Sequence, residues 1–233
     1  MKSFTSFIAL IAIVMFTTFD LAAQDWANLL HFQKENSTIV MPNENEDRVV
    51  FIGNSITQGW IEHHPSFFRQ KAYINRGISG QTTPQMLLRF RQDVIHLHPK
   101  VVVILAGTND IAGNTGPSTL EMIEDNIHSM IDLAQSNSIE VVLCSILPAH
   151  HFPWNPKCQP AQKIIELNRR LKKYAAENGI VYCDYFSAMA DERNGLSTNL
   201  SLDGVHPNSN GYDIMEPLVE KAIAHALLRR KKG

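Results

Sequence analysis

Short, continuous apolar runs alternate with helix-spaced segments along most of this chain, and that alternation constrains its fold more than any other feature. The clearest runs are Val49-Val50-Phe51-Ile52 and Val101-Val102-Val103-Ile104-Leu105. Runs apolar at every position, rich in β-branched residues and closed by turn residues, read as buried strands. Strands are expected at 49–53, 72–75, 101–105, 140–147 and 180–185. Between them, Thr83-Pro84 starts a helix carrying Met86, Leu87, Phe90, Val94, Ile95 and Leu97, which Pro99 closes. Ser118 to Glu121 fits a capping box for a helix to about Ser136. Further helices are expected from Ala161 to Asn178, ended by Gly179, and over about 209–229. Residues 60–72 read as a loop and a short helix, and 187–202 as irregular. No internal repeat interrupts the pattern. Strands alternating with helices give an α/β class, a three-layer α/β/α sandwich on a five-stranded parallel sheet.

The 233 residues are 44% hydrophobic and 19% charged, enough for one sizeable core. Net charge is -2 with no basic stripe, so no nucleic-acid partner is expected. Residues 1–23 read as a secretory signal peptide: Lys2, an apolar run Phe7–Phe16, and Leu21-Ala22-Ala23 before a cut at Gln24. The run is too short to span a bilayer and Asp20 truncates it, so export to the periplasm or medium without stable membrane insertion is expected. Residues 24–46 form a polar lead-in, with Trp26, Leu29, Leu30 and Phe32 packing one short helix against the main domain at 47–233. Cys144 and Cys183 fall in expected strands as buried thiols, and no disulfide is assigned to them or to Cys158.

The candidate chemistry sits just after the strands. Ser55 follows the first, Gly80 the second and Asn109 the third, while Asp203 and His206 precede the last helix. In an open parallel sheet these points converge on the rim at the strands' carboxyl ends. A nucleophilic hydroxyl needs a base, the base needs an orienting acid, and the oxyanion needs donors. Ser55, His206 and Asp203 supply the first three, and the N–H groups of Ser55 and Gly80 with the amide of Asn109 supply the last. Taken singly, Gly80 is an ordinary turn glycine and Asn109 a turn or cap. Asp203-x-x-His206 could be half of a metal site, but no second His or Cys lies beside it at ligand spacing, so no metal is assigned.

Four blocks carry a resemblance: Gly53-Asn54-Ser55-Ile56-Thr57, Ile78-Ser79-Gly80-Gln81-Thr82, Gly107-Thr108-Asn109-Asp110 and Asp203-Gly204-Val205-His206-Pro207. The chain resembles the SGNH hydrolases, or GDSL esterases/lipases, over about residues 47–228. That resemblance implies a flavodoxin-like strand order 2-1-3-4-5, a Ser55-His206-Asp203 triad, an oxyanion hole from Ser55, Gly80 and Asn109, and no cofactor. Two positions depart from it. Asn54 stands where many members have Asp, and Gln81 where Asp often follows the block-two glycine. Asp184 is a rival acid, ranked below Asp203, which is close to His206 in sequence.

The expected reaction is ester hydrolysis through an acyl-enzyme on Ser55, slowing as His206 takes up a proton. A small acyl group, acetyl first, on an extracytoplasmic glycan is the leading substrate. Trp60, His151 and Trp154 are its candidate contacts, in aromatic-rich segments with His63, His64 and Phe152. A lysophospholipase or thioesterase for longer chains, and a non-catalytic glycan-binding protein, are the alternatives.

Overall fold

A computed structural model describes residues 25–230. The expected signal peptide, residues 1–23, lies outside the described residues. Five parallel strands form one sheet: β1 (Val49–Gly53), β2 (Tyr73–Gly77), β3 (Val101–Leu105), β4 (Glu140–Cys144) and β5 (Val181–Cys183), in the order β2-β1-β3-β4-β5. The expected order is observed. β1 and β3 are buried at every position, as continuous apolar runs require when both sheet faces are covered.

Successive side chains point to opposite faces, so each strand feeds two cores. On one face Val50, Ile52, Val102, Ile104, Val141 and Leu143 pack against α4 (Thr83–Asp93), α6 (Leu120–Ser136) and α7 (Ala161–Glu177). On the other, Val49, Phe51, Val101, Val103 and Val142 meet α2 (Ser55–His63), α3 (Pro65–Arg69), α8 (Tyr185–Met189) and α9 (Ser209–Arg230). Short helices α1 (Gln33–Asn36) and α5 (Thr108–Ala112) complete the set.

Several local expectations shift. Thr82, not Thr83, caps α4, because its hydroxyl and the Gln85 side chain form a reciprocal capping box. Thr119, not Ser118, caps α6 by accepting the Met122 N–H. β5 stops at Cys183 because Asp184 turns the chain and caps α8, accepting the Ser187 N–H within a stretch expected to be strand and then irregular. In the lead-in, Trp26, Leu29 and Leu30 are exposed rather than packed. Ala27 is the buried residue, and Phe32 lies under the Arg76 guanidinium at 4.5 Å. The three cysteines are free, and Cys144 and Cys183 are buried.

Candidate active site

The candidate nucleophile, Ser55, is the first residue of α2. Asn54 ends β1, and its side chain accepts the Ile56 N–H at 3.0 Å, which makes it the N-cap of α2. Asparagine caps as well as aspartate does, so the departure at this position preserves the local hydrogen bond. Gly77 lets α2 approach the sheet: a Cβ there would lie 2.2 Å from the Gln58 nitrogen.

Across the rim, Asp203 organises the turn before α9. Its Oδ1 accepts the N–H groups of Val205 at 2.9 Å and His206 at 2.8 Å, and the Ser201 hydroxyl at 3.1 Å. The turn passes through a left-handed residue with φ +77°, which Gly204 supplies without a Cβ penalty. His206 Nδ1 is then 2.6 Å from Asp203 Oδ2, and its Nε2 is 2.9 Å from Ser55 Oγ. Burial pushes the Asp203 carboxyl up, but the His206 N–H and ring, together with the Val205 N–H, outweigh it and hold the group at about 2. An ionised carboxylate only accepts, so Nδ1 carries the ring proton and Nε2 is left to accept from Ser55. The rival Asp184 is occupied elsewhere, at the start of α8 and paired with Lys172 at 3.0 Å.

The candidate oxyanion donors follow three adjacent strands whose ends are in register: Gly53 pairs with Gly77 on one side and Leu105 on the other. Among the described residues, the backbone N–H groups of Ser55 and Gly80 have no hydrogen-bond acceptor. Asn109 is buried and gives one amide hydrogen to the Gln81 carbonyl at 2.9 Å, leaving the other free. The next residue, Asp110, accepts the Thr83 N–H and hydroxyl; burial pushes its carboxyl up against those donors. Gln81 is a hub: its Oε1 accepts Arg89 Nε at 2.6 Å and its Nε2 donates to the Ala27 carbonyl at 2.7 Å. Sequence reasoning missed Arg89. A charged residue among apolar ones on the buried face of α4 was the available signal.

The structure brings Ser55, Gly80, Asn109, Asp203 and His206 to one rim. It separates the expected substrate contacts. Trp60 is a correction: it is 1% exposed, stacked on Phe67 at 5.0 Å, with its Nε1 donating to Glu216. The reason is that α2 already runs through this segment and points Ile56 and Trp60, four residues apart, into the core. His64 is likewise tied up, 2.8 Å from Glu216. His151 is exposed and lies against Gly204. Trp154 does stand at the site, exposed, with its ring 6.0 Å from that of His206. Among the described residues no cluster of His, Cys, Asp or Glu is arranged to hold a metal ion.

The sequence profile of the GDSL-like lipase/acylhydrolase family matches residues 51–214. This chain belongs to that family. A solved protein of Bacteroides fragilis, provisionally described as an acylhydrolase, is 50% identical, with a TM-score of 0.86 over 88% of this chain and 99% of that one. The platelet-activating factor acetylhydrolase IB subunit alpha1 of Pongo abelii is 32% identical over 133 residues, 54% of each chain. An acetylxylan esterase of Xylanibacter ruminicola is 26% identical across 88% of this chain and 47% of that protein. The chain spans about half the length of the curated relatives it matches. No helix among the described residues is long and apolar enough to cross a membrane.

Proposed function

We propose that this acylhydrolase is an exported serine esterase that removes small acyl groups, acetyl first, from a glycan. The observation that carries the reading is the continuous hydrogen-bonded chain from Ser55 Oγ through His206 to Asp203. His206 Nε2 takes the Ser55 proton as Oγ attacks the ester carbonyl. The charge on the carbonyl oxygen is met by the N–H groups of Ser55 and Gly80 and the free Asn109 hydrogen, each worth roughly 3–4 kcal/mol of barrier. Collapse breaks the C–O bond to the alcohol, and the imidazolium returns its proton to the departing oxygen. Water activated by the same ring then hydrolyses the acyl-enzyme, releasing the acid. Asp203 stabilises the imidazolium in both halves.

An acetyl group is supported by two relatives whose names both specify its removal, although their alcohols differ. Export is supported by the composition of residues 1–23. Hydrolysis of p-nitrophenyl esters from acetate to palmitate, by the chain from Gln24 onward, tests the reading. Acetate turnover that falls with chain length and is lost in Ser55→Ala is the expected result. A preference for long chains points to lipid esters instead, and Ser55-independent turnover removes the nucleophile assignment.

A further inference from the structure

A second tryptophan, from outside the family-matched segment, shares a cavity with Trp154 and Gly80. Trp26, in the lead-in, is 45% exposed, and Trp154 is 44% exposed. Both border one cavity of about 560 Å³, together with Gly80, Asn28, Asn114 and Thr115. Two indoles sharing a polar cleft offer two apolar floors among hydrogen-bonding groups.

Neither side of the cleft is loose. The Trp26 carbonyl accepts Gln85 Nε2 at 2.6 Å, and the next carbonyl, of Ala27, accepts Gln81 Nε2 at 2.7 Å. Asp25 pins the following turn, its carboxylate accepting the N–H groups of Leu29 and Leu30. Opposite, Trp154 stacks on Phe152 at 5.1 Å and donates Nε1 to Asn114 Oδ1 at 3.0 Å. Asn114 Nδ2 in turn reaches the Gly80 carbonyl at 3.3 Å, which ties this wall to an oxyanion residue. Trp154 therefore borders both the His206 ring and the cleft.

We propose that the cleft between Trp26 and Trp154 binds the sugar portion of the ester, and that it selects a neutral acetylated oligosaccharide. The proposal rests on the esterase reading above. Its direction follows from the chemistry: His206 hands its proton to the departing alcohol, so the alcohol lies on the His206 side, where Trp154 opens into the cleft. Its neutrality follows from charge. No Lys or Arg among the described residues lines the cleft, and Asp25 adds a carboxylate, so an acidic sugar finds no counterion there. Indoles and side-chain amides match the faces and hydroxyls of a neutral sugar ring.

The test is the ratio of kcat/KM on acetylated xylotriose to that on p-nitrophenyl acetate, which has no sugar. Trp26→Ala lowers this ratio about ten-fold, and Trp26→Phe, which keeps a ring, lowers it less. A ratio within about two-fold of the wild-type value in Trp26→Ala overturns the proposal, as does a loss shared equally by both substrates. Acetylated galacturonate trimer turned over as well as the xylotriose overturns the neutral-sugar assignment. If wild-type protein hydrolyses neither ester, the esterase reading fails on its own, and the cleft is then read by calorimetry. Saturable binding of acetylated xylotriose to Ser55→Ala, weakened in Trp26→Ala/Ser55→Ala, upholds it, and equal binding to both overturns it.

Discussion

Arg89 Nη2 donates to the carbonyl of Gly53 at 3.1 Å, fixing the end of β1 from inside the core just two residues before Ser55. The same guanidinium holds Gln81, whose own carbonyl accepts the Asn109 amide. One fully buried cation thus joins the segments that carry Ser55, Gly80 and Asn109, the three proposed oxyanion donors. Its counter-ion is Asp93, one turn along α4 at 3.1 Å and equally buried, which also accepts Asn36 Nδ2 at 2.7 Å. Burial pushes the Arg89 guanidinium down to about 10, with Asp93 opposing, so it is charged at neutral pH.

Arg89→Met therefore strands a buried carboxylate and should cost about 3–5 kcal/mol of stability. It should also lower kcat by roughly 10- to 100-fold with little change in KM, because the donors lose their fixed spacing. The double variant Arg89→Met/Asp93→Leu separates the two effects. Denaturant unfolding should show most of the stability restored, while kcat stays low. Recovery of kcat along with stability would reduce Arg89 to a structural residue.

The acid limb of the pH profile should involve a single proton. Asp203 is held at about 2, below its unfolded value of about 3.9, so it stays ionised throughout the range above pH 4. The sign is that of a depressed carboxyl: its contribution to stability is complete above about pH 4 and is lost as pH falls towards 2. Log kcat/KM on p-nitrophenyl acetate should therefore show an acid limb of slope about one, not two, above pH 4. A slope near two would mean that Asp203 titrates with the ring.

Exchanging the acids should discriminate between Asp203 and Asp184. Asp203→Asn presents an amide to Nδ1, which favours the wrong ring tautomer, and kcat should fall by about 10⁴. Asp184→Asn keeps a good helix cap on α8 and loses only an exposed pairing with Lys172, worth about 1 kcal/mol at most. Its kcat should match that of the wild-type protein. A large loss in Asp184→Asn would reverse the assignment.

The strands and the four rim blocks were legible because their signals are local: uninterrupted apolar runs, and Gly, Asn and Ser at the turns that end them. The spacing of Asp203 and His206 announced their contact because only a tight turn separates them. What was hidden depends on partners far away in sequence. Nothing around Arg89 indicates that it reaches Gly53 and Gln81, and nothing around Trp26 indicates that it meets Trp154 across a cleft. Gln81, a departure from the family pattern, gains its meaning only once Arg89 and Ala27 are seen on either side of its amide.

Trp60 shows how such a misreading is tested. The polar stretch Asn54-Ser55-Ile56-Thr57-Gln58-Gly59 conceals a helix, and the aromatic residues after it resemble a sugar-binding loop. In the fold, Phe51, Phe67, Phe68 and Tyr212 surround the Trp60 ring, and no face of it reaches the rim. Trp60→Ala should therefore act through a cavity, costing about 3–5 kcal/mol in denaturant unfolding. At temperatures where the variant is folded, its ratio of activity on acetylated xylotriose to that on p-nitrophenyl acetate should stay close to the wild-type ratio. The same ratio falls in Trp26→Ala under the cleft proposal, so the two tryptophans separate the core from the sugar site. A selective loss on the saccharide in Trp60→Ala, with stability intact, would return it to the substrate contacts.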